Sequence, residues 1–258
     1  MRLLRRPTRH GNVLVKSSVL DVRRKRGASA PTSQSNLRLF LSSANVQQFE
    51  LWHNTGIFHG ITTNPIILES DGVKCNVKAL TSLAQDAFEL GAQEMHLQVW
   101  GDTVQKLSSV AFDLAGINPR QIVIKLPCTL EGIQTATLMR DANIRITIAG
   151  INSAAQVVLA EAVGAEYASA YFGWMIDKLG SEQAGMESIT QMHKITRSHN
   201  SSMRLMVSSI RDASDLAKLS EFGCDTFTIS PAVAMKMFMA EGTLDYFAAF
   251  EDAARRNS

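Results

Sequence analysis

Lys125 has the features of an amine that attacks carbonyl groups. It follows the short β-branched run Ile122 to Ile124, which predicts a strand buried on both faces. Pro127 lacks a backbone N–H, so the strand is expected to end there. Burial is unfavourable for an ammonium ion. It therefore lowers the pKa of a lysine and leaves part of it as the nucleophilic free amine. The alternative is a lysine that only extends from a strand end into solvent.

Other polar side chains are expected to meet Lys125 at one mouth of a barrel. Strand-like and helix-like segments alternate from Leu37 onward, and in a (β/α)₈ barrel the strand ends converge on one face. In chain order these ends are Ser42, Thr63-Asn64, Gln98, Lys125, Ala149, Tyr171, Ser208-Ser209 with Arg211, and Ser230. An amine, amides, hydroxyls and a cation in one place suit a phosphorylated or polyhydroxylated carbonyl compound.

The number of segments predicts the fold class, α/β with a single (β/α)₈ TIM barrel. Eight strand–helix units over about 220 residues match that architecture, and no GxGxxG turn follows a strand as in a doubly wound sheet. The predicted strands are 39–41, 60–63, 94–99, 122–125, 144–148, 167–171, 204–207 and 226–229. The predicted barrel domain spans residues 37–258 and carries an extra C-terminal helix from Leu244 to Ala254.

Residues 1–36 form a basic segment that we exclude from the fold. They hold nine Lys/Arg and one acid, a net charge of +8, whereas the whole chain carries +2. An arginine-rich, acid-poor leader resembles a mitochondrial or plastid transit peptide, and the alternative is an inert basic tail. The segment is predicted to be disordered, or absent from the mature protein. The expected location is the cytoplasm, or an organelle stroma or matrix if the leader is a transit peptide.

Several function classes are disfavoured by composition. No apolar run is long enough to span a bilayer, and the leader lacks the aromatic residues of a nucleic-acid arm. Cys75, Cys128 and Cys224 are too scattered for a metal site or a disulfide framework. We therefore expect no metal, no cofactor, no membrane and no nucleic-acid partner.

Four segments resemble the transaldolase family, and the match runs from about Leu39 to the C-terminus. Gly60-Ile61-Thr62-Thr63-Asn64-Pro65 is similar to the family signature after the second strand. The strand from Ile122 to Pro127, followed by Thr129, Glu131 and Gly132, resembles the segment of the Schiff-base lysine. Gly164 to Tyr167 and Ser209 to Arg211 resemble two later segments. The short chain, Gln98 and Tyr171 resemble the fructose-6-phosphate aldolases of the small subfamily.

The resemblance implies a role for each site residue. Lys125 would form the Schiff base, with Tyr171 and Gln98 holding a water or moving a proton. Thr63 and Asn64 would bind the ketose head, and Ser209 and Arg211 its phosphate. The enzyme would be a class I aldolase or transaldolase that transfers or releases a dihydroxyacetone-type unit from a ketose or ketose phosphate. It would be a homo-oligomer, in which Phe247 and Phe250 of the last helix cover a neighbouring subunit.

Three positions depart from the family pattern. Ser42 stands where the family has an aspartate, Trp174 where it has an arginine, and Ala149 replaces a threonine. Serine cannot act as a carboxylate base, and the loss of an arginine weakens phosphate binding. Trp174 instead suits a less charged substrate, or packing under the next helix. A catalytically weakened homologue that binds a sugar phosphate or a partner is therefore the alternative function.

Overall fold

Parallel strands form a closed barrel in the computed structural model, which describes residues 36–198 and 201–258. Within these residues eight strands follow chain order around the barrel, and the first pairs with the last. They are β1 (Arg38–Ser42), β2 (Phe58–Thr62), β3 (Glu94–Gln98), β4 (Ile122–Pro127), β5 (Ile146–Ile151), β6 (Tyr167–Tyr171), β7 (Arg204–Ser208) and β8 (Thr226–Ile229). The predicted TIM barrel is confirmed. The predicted leader lies outside the described residues, apart from Asn36.

Helices alternate with the strands. They are α1 (Val46–His53), α2 (Pro65–Ser70), α3 (Val77–Glu89), α4 (Val104–Ala115), α5 (Leu130–Asp141), α6 (Ala154–Ala162), α7 (Phe172–Leu179), α8 (Glu182–Ser198), α9 (Ala213–Glu221), α10 (Pro231–Lys236) and α11 (Glu241–Asn257). Their starts are set locally by side chains that accept hydrogen bonds from first-turn amides. Asn45, Asn76, Thr103 and Thr129 each cap a helix in this way. The described helices include none that is both long and apolar enough to cross a membrane.

Two short helices were not predicted from the sequence. Helix α2 begins directly after Asn64, which caps it, and Pro65 occupies its first turn. Helix α7 begins directly after β6 and ends at Gly180, whose φ of 69° is left-handed. Both are additional to the longer helix that follows the same strand, so a prediction of one helix per strand misses them.

Strand β5 begins two residues later than predicted, at Ile146 rather than Ile144. The amide of Ile144 donates to the carbonyl of Met139 at 2.9 Å, which closes the C-terminus of α5. Ile144 therefore belongs to the end of the helix. The strand instead continues to Ile151, with an irregularity in its pairing with β6 at Gly150.

The barrel interior is apolar at mid-height and charged at its base. Phe40, Val123, Tyr167 and Met206 form a buried cluster inside the barrel. Below it, the buried carboxylate of Glu94 accepts hydrogen bonds from Tyr167 and Arg145, and Arg38 and His59 lie 3.6 and 3.3 Å from the carboxylate. Burial opposes ionisation of Glu94, but His59, His96 and Tyr167 hold the pKa of this carboxyl below the ordinary value.

Candidate active site

A cavity of about 470 Å³ opens at the C-terminal mouth of the barrel. This is the face where TIM barrels carry their catalytic groups. Most of the site residues predicted from the sequence line it together. They are Ser42, Asn64, Gln98, Lys125, Tyr171, Trp174 and Ser209. The convergence expected from the strand ends is therefore present in the fold.

Lys125 lies at the floor of this cavity with 3% of its surface exposed. Its Nζ donates to the carbonyl oxygen of Thr63 at 3.3 Å. Desolvation by burial lowers the pKa of Lys125 to about 8. Among the described residues that line the cavity none is Asp or Glu, so no carboxylate at the cavity surface opposes this shift. The site thus holds an amine that is partly neutral near physiological pH.

Strands β3 and β6 bring further polar groups into the same cavity. Gln98 is the register partner of Lys125 across the β3–β4 pair, and Tyr171 is the partner of Ser208 across β6–β7. Burial raises the pKa of Tyr171 above its usual value, which keeps the phenol protonated at neutral pH. A protonated phenol and an amide close to a free amine are groups that can position water or pass a proton.

Asn64 is held in one orientation by the helix it caps. Its Oδ1 accepts from the amides of Ile66 and Ile67, each at 3.0 Å. The Nδ2 group is then the part of the amide that can donate to a ligand in the cavity. The sequence signal for this arrangement is Asn-Pro, a cap residue followed by proline in the first turn.

Two predicted substrate-binding residues lie outside the cavity lining. Thr63 is buried beyond the end of β2 and contributes its backbone carbonyl to Lys125, while the inward-facing residue at this height is Thr62. The guanidinium of Arg211 donates to both carboxylate oxygens of Asp177, at 2.6 and 2.5 Å. Successive side chains along an extended chain point to opposite faces, so Thr63 does not line the cavity that Thr62 lines. Arg211 forms a salt bridge with Asp177 of α7, a helix that was not predicted.

The lining also includes residues that were not singled out as site candidates. The hydroxyls of Thr62 and Thr228 are hydrogen-bonded to each other. Counting back by two from Asn64 and Ser230 would have found these two positions. Ser208, which was expected at the end of its strand, also lines the cavity and is hydrogen-bonded to Ser169 at 2.7 Å. Ile66 and Ile67 of α2 also line the cavity, and this helix was not predicted from the sequence. Among the described residues no group of three or more His, Cys, Asp or Glu is placed to hold a metal ion.

Comparison with known sequences finds one family model and several relatives that carry the same family name. The family model described as Transaldolase/Fructose-6-phosphate aldolase matches residues 39–257. A probable transaldolase of Dictyoglomus turgidum is 26% identical over 204 residues, covering 78% of this chain and 90% of the relative. A probable transaldolase of Clostridium kluyveri is 29% identical over 203 residues, covering 78% of this chain and 89% of the relative.

Solved structures resemble the chain in fold alone. The thiamine phosphate pyrophosphorylase of Pyrococcus furiosus superposes with a TM-score of 0.54 at 16% identity, covering 77% of this chain and 87% of the other. The inosine 5′-monophosphate dehydrogenase of Legionella pneumophila gives a TM-score of 0.55 at 12% identity, covering 77% of this chain and 59% of the other. Barrels of one shape thus carry different named activities, so function has to be argued from the site.

Proposed function

Since the chain belongs to the Transaldolase/Fructose-6-phosphate aldolase family, we propose that it is a class I Schiff-base enzyme of the aldolase or transaldolase type. Its substrates are ketoses or ketose phosphates, from which it releases or transfers a dihydroxyacetone-type unit. The observation that carries this proposal is Lys125. A buried lysine with a pKa of about 8, facing a cavity lined by hydroxyl and amide groups, is an amine prepared for a carbonyl.

The reaction begins with attack of the neutral Lys125 Nζ on the ketose C2 carbonyl. The carbinolamine loses water and becomes an iminium ion, which draws electrons from the substrate. The C3–C4 bond then breaks as the C4 hydroxyl passes its proton to a water held by Tyr171 and Gln98, and an aldehyde leaves. The electron pair of the broken bond remains on the lysine-bound fragment as an enamine.

Two fates of the enamine separate the two activities. In aldol cleavage the enamine carbon takes a proton, and water hydrolyses the iminium to free Lys125 and a ketone. In transaldol transfer the same carbon attacks a second aldehyde, whose oxygen takes the proton before hydrolysis. Tyr171 and Gln98 move protons or position water in both routes, and Ser42 lies where it can contact the same intermediates.

The remaining polar residues hold the substrate. Asn64 donates its Nδ2 group to a hydroxyl of the ketose head, since its Oδ1 is engaged by α2. Ser209 presents a hydroxyl from the end of β7, on backbone with a left-handed φ of 59°. Thr63 acts on the substrate only through Lys125, whose amine its carbonyl contacts. Arg211 can reach a ligand only by leaving Asp177.

Borohydride trapping tests the proposal. Reduction of the protein in the presence of dihydroxyacetone should add the reduced ketone to one peptide, the one that contains Lys125. Lys125→Met should abolish both trapping and turnover and keep the circular dichroism spectrum of wild type. Lys236→Met, at an exposed lysine outside the cavity, is the matched control and should be trapped like wild type. Trapping at a different lysine in the Lys125→Met protein would refute the assignment.

The second candidate is a catalytically weakened homologue that binds a sugar phosphate or a partner. The observation that favours it is the cavity lining, where the described residues include Ser42 and no carboxylate. Such a protein would be stabilised thermally by a ketose or ketose phosphate but would give no borohydride adduct. Trapping at Lys125 excludes this candidate.

A further inference from the structure

The cavity has few charges for a site that would hold a phosphate ester. A phosphate carries close to two negative charges and is bound by arginine, lysine or backbone N–H groups. Among the described residues that line the cavity, Lys125 is the one with a cationic side chain. Its amine has to be neutral and free to attack a carbonyl, so it does not also anchor a phosphate.

Cations just outside the cavity are already neutralised. The bidentate contact with Asp177 raises the pKa of Arg211 and lowers that of the aspartate, so the pair is ionised and has no net charge. Lys236 donates to Asp212 at 3.0 Å in the adjoining segment. A phosphate that approached either cation would also face the carboxylate paired with it, and like charges repel.

Two large apolar side chains lie at the rim of the cavity instead. Trp174 and Ile66 both line the cavity, yet 52% and 64% of their surfaces are exposed. The Trp174 ring lies edge-on to Tyr171, with ring centroids 5.6 Å apart. Exposed large apolar groups at the rim of a cavity mark a place where an apolar part of a ligand is covered.

The position of Trp174 is fixed by the backbone. The amide of Gly173 donates to the carbonyl of Ser209 at 3.0 Å, which ties the first turn of α7 to the end of β7. A Cβ atom at residue 173 would lie 2.4 Å from that carbonyl, so glycine permits the close approach. The backbone at Trp174 is therefore held at the rim of the cavity, and the indole forms part of the cavity wall.

We propose that the enzyme acts on uncharged carbonyl compounds: a small hydroxyketone as donor and an aldehyde without a phosphate as acceptor. Trp174 packs against the acceptor where a phosphate-binding enzyme would place a cation. The inference rests on the proposed Schiff-base chemistry of Lys125 and specifies its substrate class. It leaves the bonds made and broken as described above.

Paired acceptors test the inference. Aldol addition of dihydroxyacetone to glyceraldehyde and to glyceraldehyde 3-phosphate is followed under identical conditions. Wild type should show a kcat/KM at least tenfold higher for glyceraldehyde. The ratio of kcat/KM for glyceraldehyde to kcat/KM for glyceraldehyde 3-phosphate should fall tenfold or more in Trp174→Arg. Trp174→Phe should keep the wild-type ratio. Asp177→Asn, which releases Arg211, should move the ratio in the same direction as Trp174→Arg by a smaller factor.

A matched control separates local from general charge effects. Leu179→Arg adds the same charge to the exposed end of α7, away from the cavity, and should leave the ratio unchanged. Trapping at Lys125 together with a wild-type preference for glyceraldehyde 3-phosphate would overturn the inference and leave the proposed function intact. Failure of dihydroxyacetone, hydroxyacetone and fructose 6-phosphate alike to give an adduct would overturn both.

Discussion

Lys125 owes its low pKa to burial, since desolvation is the cause of its shift and no carboxylate lines the cavity within the described residues. With a pKa of about 8, about one-tenth of the amine is neutral at pH 7, against roughly 0.04% for an unburied lysine of pKa about 10.4. The neutral, reactive fraction of the amine is thus a few hundredfold larger, and no neighbouring base is needed to produce it. A single desolvated side chain thus supplies the nucleophile.

The pH dependence of turnover is a direct test of this view. Because the proton on Lys125 is lost as pH rises, kcat/KM should increase up to about pH 8 and then level off. The raised pKa of Tyr171 places any fall in rate at more alkaline pH, where the phenol ionises. Tyr171→Phe should keep the acid limb and remove the alkaline one. An acid limb centred below pH 7 would contradict the assignment.

Ser42 is the residue at which a carboxylate would add a proton acceptor to the cavity. We expect Ser42→Asp to raise the rate of ketose cleavage about tenfold or more, because a positioned acid or base contributes about 10²–10⁴-fold. The new charge also stabilises the ammonium form of Lys125, so rates should be compared on the alkaline plateau of each variant. Ser42→Asn, similar in size but without a base, should show no gain. An equal gain in both variants would assign the effect to packing.

At the scale of elements, the site depends on two short helices that begin within three residues of the end of their strands. Helix α2 brings Ile66 and Ile67 to the cavity, and α7 brings Trp174 to the cavity and Asp177 to Arg211. A third close junction lies behind Lys125. There a Cβ atom at Gly132, in α5, would lie 1.9 Å from the carbonyl oxygen of Pro127. The junctions between strands and helices therefore shape the mouth.

Gly132→Ala should show the cost of disturbing such a junction. The added methyl meets backbone at the end of β4, so the helix or the strand has to move. Overpacking of this kind costs about 1–3 kcal/mol of unfolding free energy, measurable by denaturant titration. Gly116→Ala is the control, because Gly116 has a helical φ of −64° and its Cβ would make ordinary contacts at 3.4 Å. Equal stability of the two variants would contradict this account.

The sequence predicted the strands and the long helices because their apolar periodicity and turn residues are local signals. The inward positions of Ser42, Gln98, Lys125 and Tyr171 followed from the same strand ends. The salt bridge of Arg211 could not be predicted in this way. Its partner Asp177 lies on a helix that the pattern of alternating strands and helices gave no reason to expect. Pairings between side chains of different elements depend on tertiary contacts that local signals do not contain.

At the scale of the whole molecule, the barrel has a buried apolar core, whereas the last helix leaves its large apolar side chains exposed. Helix α11 buries none of its residues, although it carries an aromatic cluster. Tyr246, Phe247 and Phe250 are 68%, 63% and 67% exposed. An exposed apolar patch of this kind is typical of an interaction surface. This supports the prediction, made from the sequence, of a homo-oligomer in which this helix covers a neighbouring subunit.

Removal of the aromatic cluster tests the oligomer. We expect the protein to be larger than a monomer by light scattering. The double change Phe247→Glu with Phe250→Glu should reduce the mass to that of a smaller species, because two charges would have to be buried at the interface. Leu159→Glu changes an exposed apolar residue on α6 and should leave the mass unaltered. A wild-type monomer would contradict the prediction.

The closure of the barrel has a consequence for synthesis. Strand β1 pairs with β8, so Arg38 finds its partner Thr226 only after almost the whole chain has been translated. At roughly 5–20 residues per second, about ten to forty seconds separate the emergence of these two strands from the ribosome. During that interval the β8-facing edge of β1 has no partner, and an open strand edge can pair with other chains. The nascent protein is thus most prone to aggregation before its last strand appears, and chaperone dependence should be greatest at that stage.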